Sequence, residues 1–248
     1  MQITLFIILG VVLIMLLWEN LAPRRTYALQ LKLKSYMTDV LISVFNNVLM
    51  YLLSVTSLYY VAQNLSSMKI LGSFDFQSIV IIIATLLFLD FSIYVWHYMN
   101  HKLDFLWIFH KVHHSEKYLN TISGIRFHIG ELIASVIFKS IFLIFFLGIP
   151  INLILISETI ILISSLFHHS NIKFKFEKIF GNVLIMPYLH EVHHSSIRNE
   201  HDSNYGVLFS FWDRIFGTLK QVKVKEIGLK GIHFQGILQT ITFGFKKR

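Results

Sequence analysis

Residues 90–107, DFSIYVWHYMNHKLDFLW, join the end of an apolar segment to a pair of histidines, His97 and His101. Because the two histidines are four residues apart, both rings leave the same face of a helix, one turn apart. Two imidazole nitrogens then face one point, as metal ligands do. The stretch therefore predicts a membrane-spanning helix whose end carries part of a metal site.

The rest of the chain is apolar as well. Of its 248 residues, 54% are hydrophobic and 15% charged, which is outside the usual composition of soluble globular domains. Apolar segments are found at 3–18, 38–62, 78–97, 132–147 and 151–167. The first three are predicted to cross a bilayer core of about 30 Å. A cleaved signal peptide is the competing interpretation of the first segment, but no basic region precedes it and no small-residue cleavage site follows it.

The last two apolar segments differ from the others. Only the turn GIP, residues 148–150, separates them, and Lys139 lies near the middle of the first, where a charge is costly in a bilayer. We expect a helical hairpin that enters one leaflet and returns. The predicted fold is an all-α integral membrane protein with about three transmembrane helices, this re-entrant hairpin and a cytoplasmic, helical, histidine-rich metal domain.

The basic residues predict an orientation. The net charge is +8, and the loop between the second and third spans contains only Lys69, whereas basic residues are frequent after residue 101. Those that follow the first span are Arg24, Arg25, Lys32 and Lys34. Because lysine and arginine are enriched in cytoplasmic loops, we expect the N-terminus outside and residues 98–127 and 168–248 in the cytoplasm. Anionic lipid explains the charge, so no nucleic-acid partner is expected.

The histidines are concentrated in four groups. Of 13 histidines, only His128, His201 and His233 stand apart. The groups are His97/His101, His110/His113/His114, His168/His169 and His190/His193/His194. The strings HKVHHS (110–115) and HEVHHS (190–195) have the same spacing. A helical turn presents the first and last histidine of such a string together, while the middle ring points toward a neighbouring site, so one string can serve two metals.

The absence of cysteine limits the metal chemistry to nitrogen and oxygen ligands. A structural zinc site takes four ligands, and eight or more clustered histidines exceed that number, so a second metal ion is the simplest inference. A proton relay or a pair of haem-ligating histidines is the alternative. Neither explains so many clustered rings, because a relay needs few groups and haem needs one or two axial histidines.

The ordered motifs resemble those of the fatty acid hydroxylase/sterol desaturase superfamily. The resemblance covers roughly residues 88–218 and consists of HxxxH (97–101), HxxHH (110–114), RFHIGE (126–131), FHHSN (167–171), HxxHH (190–194), DSNYG (202–206) and FWDRIFGT (211–218). It implies a non-haem centre of two iron ions on the cytoplasmic face, which uses O2 and two reducing equivalents to oxidise a C–H bond of a lipid.

The resemblance also implies the metal ligands. They are His97, His101, His110, His113, His114, His169, His190, His193 and His194. Further candidates are His128, as a ligand or a hydrogen-bond partner, and His168, as a supporting residue that could exchange roles with His169. Glu131 is a further candidate, as a ligand or a supporting residue. It lies in HIGE, where the family often has HPxE. Asp90 would orient a ligand ring or pack as a polar group in the bundle, and Asp202 and Asn204 would support ligands or shape turns.

The implied reaction sets the expected partners. The substrate would be a fatty acyl, sterol-like or ether lipid, hydroxylated or desaturated in a slot walled by the hairpin at 132–167. Because no dinucleotide fingerprint or cysteine cluster is present, electrons would come from a ferredoxin, a cytochrome b5-like protein or a flavoprotein reductase. A zinc-dependent lipid hydrolase and a non-catalytic membrane metal or haem binder are the alternatives.

Three segments follow from this interpretation. They are transmembrane helices and loops at 1–77, a hydroxylase-like catalytic domain at 78–220 and a basic tail at 221–248. The expected location is the inner membrane of a bacterium or the endoplasmic reticulum of a eukaryote.

Overall fold

The computed structural model describes residues 2–52, 79–144, 149, 151–232 and 236–245. Within these ranges the chain is helical, with isolated β-bridges and no extended strand, so the predicted all-α class is confirmed there. The helices are α1 (Gln2–Leu21), α2 (Leu29–Leu52), α3 (Ile79–Lys102), α4 (Asp104–His114), a 3-10 helix (Thr121–Ile125), α5 (Ile129–Ile144), α6 (Ile151–His169), α7 (Glu177–Phe180), α8 (Pro187–His193), α9 (Arg198–His201), α10 (Phe211–Ile215) and α11 (Ile237–Phe243).

Two of the described helices, α3 and α6, are long and apolar enough to cross a membrane. The helix that contains the predicted third span, 78–97, is longer than that span. It continues to Lys102 and carries both histidines of the first motif. The first predicted span lies in α1, whose apolar part Phe6–Leu21 is shorter. The second is described only in part, as α2, and residues 53–62 lie outside the described residues.

The helices of the predicted hairpin are α5 and α6, and the predicted turn at 148–150 lies outside the described residues apart from Ile149. Helix α6 is central in the fold because apolar clusters lie on two of its sides. Leu153 and Ile161 of α6 pack with Leu89 of α3. On another side, Leu166 packs with Met15 of α1 and with Ile172. These contacts bring the end of α6 beside the end of α3.

A buried carboxylate ties the N-terminal helices to this core. Glu19 of α1 is fully buried and accepts hydrogen bonds from the backbone N–H of Thr121, at 3.0 Å, and of Asn171, at 3.1 Å. It also accepts one from the hydroxyl of Tyr36 in α2. Because a buried carboxylate is costly unless it is hydrogen-bonded, these bonds fix α1 and α2 against the 3-10 helix and the segment after α6.

Part of the predicted tail packs against the histidine-bearing helices. Val224 and Ile227 form a buried apolar cluster with Leu119 and Val192. Further on, α11 follows at Ile237–Phe243. The boundaries predicted at 77/78 and 220/221 stay predictions.

Candidate metal centre

Four helices bring the predicted ligands together. Helix α3 carries His97 and His101, α4 carries His110, His113 and His114, α6 ends at His169, and α8 with its C-terminal residue carries His190, His193 and His194. All nine side chains are buried. Their nitrogen atoms form two groups, and within each group the potential ligand atoms lie within 4.8 Å of one another. The groups are His97/His101/His110/His114/His193 and His113/His169/His190/His194.

The two HxxHH strings are shared crosswise between the groups. In the first string, His110 and His114 belong to the five-histidine group, whereas His113 belongs to the four-histidine group. The second string is divided in the opposite sense, since His193 joins the five-histidine group and the rings on either side of it join the other. This is the division that helical spacing predicts. Each group therefore depends on both strings.

Backbone carbonyls determine which ring nitrogen is free. The Nδ1 atom of His97 lies 2.9 Å from the Tyr205 carbonyl oxygen, and that of His193 lies 2.7 Å from the Ser203 carbonyl oxygen. His113 has the same kind of contact, with its Nδ1 3.1 Å from the Arg126 carbonyl oxygen. Since a carbonyl oxygen can only accept, Nδ1 donates its proton to the bond. In the neutral ring the lone pair is then on Nε2.

The Nε2 atoms face each other without protons to share. The Nε2 atoms of His113 and His169 lie 2.9 Å apart, although Nδ1 of His169 also donates, to the Ser165 carbonyl oxygen at 2.7 Å. Two lone pairs at this distance repel each other unless a cation lies between them. Nε2 of His97, His110 and His193 is buried and has no hydrogen-bond partner among the described residues. These donor atoms fit metal ions, each bound by several imidazoles.

Burial keeps these rings neutral. Desolvation, followed by the charges of neighbouring histidines, lowers the pKa of His113 well below its ordinary value, and the same holds for His194. A neutral imidazole is the form that binds a metal. The site is therefore prepared to receive cations and not to hold protons.

Two carboxylates orient further rings. Glu131 accepts a hydrogen bond from Nδ1 of His110 at 2.8 Å, and Asp202 lies 3.2 Å from Nδ1 of His101. Such contacts direct Nε2 toward the site and raise the basicity of the ring. Each carboxylate thus lies beside a predicted ligand ring, and its supporting role stays a prediction. Glu131 is also 3.4 Å from the side-chain amide of Asn100.

Two polar residues near the motifs contact a loop and not the rings. Asp90 accepts hydrogen bonds from the backbone N–H of Leu208 and from the Trp212 indole. These contacts fit a polar group packed in the bundle, the second of the two roles considered for Asp90. Asn204 has a positive φ of 54°, and its amide donates to the carbonyl oxygens of Leu189 and Lys220. Asn204 thus shapes the turn whose neighbouring carbonyls, at Ser203 and Tyr205, hold His193 and His97.

Asp213, from FWDRIFGT, supports the same loop. It accepts hydrogen bonds from the backbone N–H of Tyr205 and Gly206, both at 2.8 Å. Because the Tyr205 carbonyl receives the His97 ring, Asp213 holds that acceptor in place.

The remaining histidines lie at different distances from the centre. His168 is buried beside the four-histidine group, with its ring centroid 4.0 Å from that of His190, and its Nδ1 contacts the Val207 carbonyl oxygen. His128 is outside both groups. It stacks on Phe109 and reaches the Ile241 carbonyl oxygen of α11, so its role here is to anchor the C-terminal helix.

His201 was not predicted as part of the site. It forms a third potential group with His101 and Asp202, and its ring stacks against Trp107. The signal in the sequence is its position directly before Asp202. No spacing connects it to the other histidines, so only the folded chain identifies it.

A cavity of about 370 Å³ lies beside the histidines, and its lining includes His97, His113 and His169. The hairpin helices contribute Leu132, Ser135, Lys139, Glu158, Ile161 and Leu162. Helices α5 and α6 thus form part of the wall, and the use of this cavity as a substrate slot stays a prediction.

Similar proteins were found by sequence. The chain is 28% identical over 170 residues to the ornithine lipid hydroxylase of Rhizobium tropici, covering 67% of this chain and 51% of that protein. It is 32% identical over 150 residues to a cholesterol 25-hydroxylase-like protein of Danio rerio, with 55% and 54% covered. For the alkylglycerol monooxygenase of Homo sapiens the identity is 28% over 138 residues, with 56% and 30% covered.

The chain spans about half the length of the first two relatives and less of the third. No solved structure matches it significantly. The family model for fatty acid hydroxylase matches residues 82–218. Because this match spans more than half of the 248 residues and contains every histidine of the two groups, the chain belongs to the fatty acid hydroxylase family.

Proposed function

We propose that this protein is a membrane oxygenase that hydroxylates a C–H bond of a lipid with O2 and electrons from a separate carrier. The observation that carries the proposal is the facing pair of Nε2 lone pairs on His113 and His169, 2.9 Å apart. The two histidine groups would each hold one iron ion. When bound, iron would supply the redox chemistry that activates O2, which zinc does not provide.

The chain's own residues provide orientation and shielding. Glu131 and Asp202 hold His110 and His101 with Nε2 directed inward, and the buried position of the rings keeps bulk water away from them. The adjoining cavity would hold the lipid with one carbon near the histidines. Hydroxylation is favoured over desaturation, because the relatives are named as hydroxylases or a monooxygenase.

The decisive experiment compares lipids by mass spectrometry in cells with the protein, without it and with His193→Ala, under ¹⁸O2. We expect a lipid that gains one labelled oxygen atom only in cells with the unchanged protein. An ester cleaved without O2 by protein that holds zinc would contradict the proposal. The same purified sample gives the iron content, which we expect to be about two ions per chain.

We also propose that the metal centre faces the cytoplasm, with α3 and α6 in the membrane. Exposed Phe176 and Ile179 alternate with exposed Lys175 and Lys178 around α7. Apolar side chains interleaved with lysines are typical of a surface that meets anionic lipid. This favours lipid contact over the docking of an electron carrier at these lysines.

The orientation can be tested by single cysteines, because the chain has none of its own. We expect Asn199→Cys and Lys175→Cys, both at exposed positions, to react with an impermeant maleimide only after the membrane is opened. Labelling in intact cells would contradict a cytoplasmic centre. Asn120 is fully buried, so Asn120→Cys is the control and should react only in the unfolded protein.

A further inference from the structure

An ion pair between the two hairpin helices lines the cavity. Nζ of Lys139 in α5 lies 2.9 Å and 3.1 Å from the two carboxylate oxygens of Glu158 in α6. The side chains are 22% and 25% exposed, and both belong to the cavity wall. The two charges are thus shielded by the hairpin on one side and accessible from the cavity on the other.

The pair lies well away from the histidines along both helices. Lys139 follows Glu131, which holds His110, by eight residues, or about 12 Å of helix. Glu158 precedes His169 by eleven residues, or about 17 Å. Between these levels the wall includes Ile161 and Leu162. The cavity therefore has the histidines at one level, apolar side chains next, and a pair of opposite charges beyond them.

Charges in apolar helices are costly and require a reason. Joining α5 to α6 would be one, but apolar residues join helices at least as well, because replacing a shielded ion pair by apolar side chains is often neutral or stabilising. Ser135, one helical turn before Lys139, lies in the same wall, so a hydroxyl oxygen is available near the charges, whereas Asn46 donates to the Phe127 carbonyl oxygen nearer the histidines.

We propose that Lys139 and Glu158 bind the head group of a zwitterionic lipid, one that carries both an ammonium and an acidic group. This inference rests on the proposed function and specifies its substrate class. The acidic group would take Lys139 as its partner and the ammonium would take Glu158, so every charge stays paired. An anionic lipid would face Glu158 with a like charge, and a cationic lipid would face Lys139, both at a cost.

The position of the pair also selects the carbon that is oxidised. With the head group at Lys139 and Glu158, the part of the lipid beside His97, His113 and His169 is the apolar chain, about 12 Å or more from the charges. Oxidation takes place on that chain and leaves the head group unchanged.

The test measures lipid binding with and without the pair. An N-acyl ornithine lipid is the zwitterionic probe, with cholesterol as the uncharged and palmitic acid as the anionic comparison, each titrated into the detergent-solubilised protein and followed by native mass spectrometry. In Lys139→Met/Glu158→Leu we expect ornithine-lipid affinity to fall at least tenfold and cholesterol affinity not to fall. The matched control is Lys117→Met/Glu226→Leu, which removes an ion pair outside the cavity lining and should leave all three affinities unchanged.

Unchanged ornithine-lipid affinity in the apolar double variant would overturn the proposal, and so would an equal loss for cholesterol. If that variant loses its fold, the exchange Lys139→Glu/Glu158→Lys keeps the link between α5 and α6 while reversing the charges. A tenfold loss of ornithine-lipid affinity there supports head-group binding, and retained affinity overturns the proposed pairing of the acidic group with Lys139 and of the ammonium with Glu158. Because binding is measured on iron-free protein too, these results are independent of whether the proposed oxygenation is observed.

Discussion

Replacing His113 or His193 by alanine is expected to remove iron from one histidine group each and to reduce lipid oxygenation to background. Each ring is buried and belongs to a different group, so each alanine removes one donor nitrogen from one group and leaves the other group complete. We expect bound iron to fall from about two ions per chain to about one or less. Mass spectrometry of the metal on purified protein measures this loss.

The crossed sharing of the strings makes the prediction more specific. His113→Ala and His194→Ala should both leave the iron ion that the five-histidine group holds. His193→Ala and His114→Ala should both leave the iron ion that the four-histidine group holds. Iron spectroscopy of the four variants distinguishes the two environments. If His113→Ala and His114→Ala, which lie in the same string, gave the same spectrum of residual iron, the arrangement would be contradicted. His233→Ala, outside every motif and outside the described residues, is the control.

The spacing of the histidines was sufficient to predict how each string divides. An HxxHH string on a helix has only one way to direct its rings, and α4 and α8 are helical over both strings. The same local rule predicted that His97 and His101 share a face of α3. Local geometry thus determined the arrangement wherever the ligands lie on helices.

Contacts between distant segments were not predictable in this way. The acceptors that fix Nδ1 of His97 and His193 are backbone carbonyls at Tyr205 and Ser203, and every residue type has a carbonyl. Asp90 shares a helix with His97 yet contacts a loop more than a hundred residues later. Helix periodicity gives the face of a side chain, but the partner on that face depends on the tertiary fold.

His128 is a residue within a motif whose contact could not be predicted from the sequence. Its place in RFHIGE makes it a candidate metal ligand or hydrogen-bond partner of a ligand, and Glu131 in the same motif does contact a predicted ligand ring. His128 instead turns toward α11, where the Ile241 carbonyl oxygen lies 3.1 Å from Nε2. Helix α11 begins at residue 237, far from every motif, so no pattern in the sequence connects it to His128.

Arg126 is a further residue that the sequence analysis did not single out. Its guanidinium is buried, 2% exposed, and pairs with Asp39 at 2.6 Å and with Glu116 at 3.1 Å. The nearby charges of these two carboxylates raise its pKa against the opposing effect of burial. Its carbonyl oxygen receives the ring of His113. One residue thus links α2, the segment after α4 and the metal centre.

Arg126→Met is expected to destabilise the protein by about 3–5 kcal/mol, because it leaves two buried carboxylates facing each other without a cation. Equilibrium unfolding in mixed detergent measures this loss. The exposed Arg214 is the control, and Arg214→Met should change stability by about 0.5 kcal/mol or less. If uncompensated charge is the cause, adding Asp39→Asn to Arg126→Met should restore part of the stability, although Asn cannot replace every hydrogen bond.

A double variant less stable than Arg126→Met would instead mean that Asp39 acts mainly by accepting hydrogen bonds from the side chains of Asn120 and Ser123. Iron content then separates two roles of this position: partial recovery of stability without recovery of iron would show that the arginine also holds its own carbonyl in place for His113.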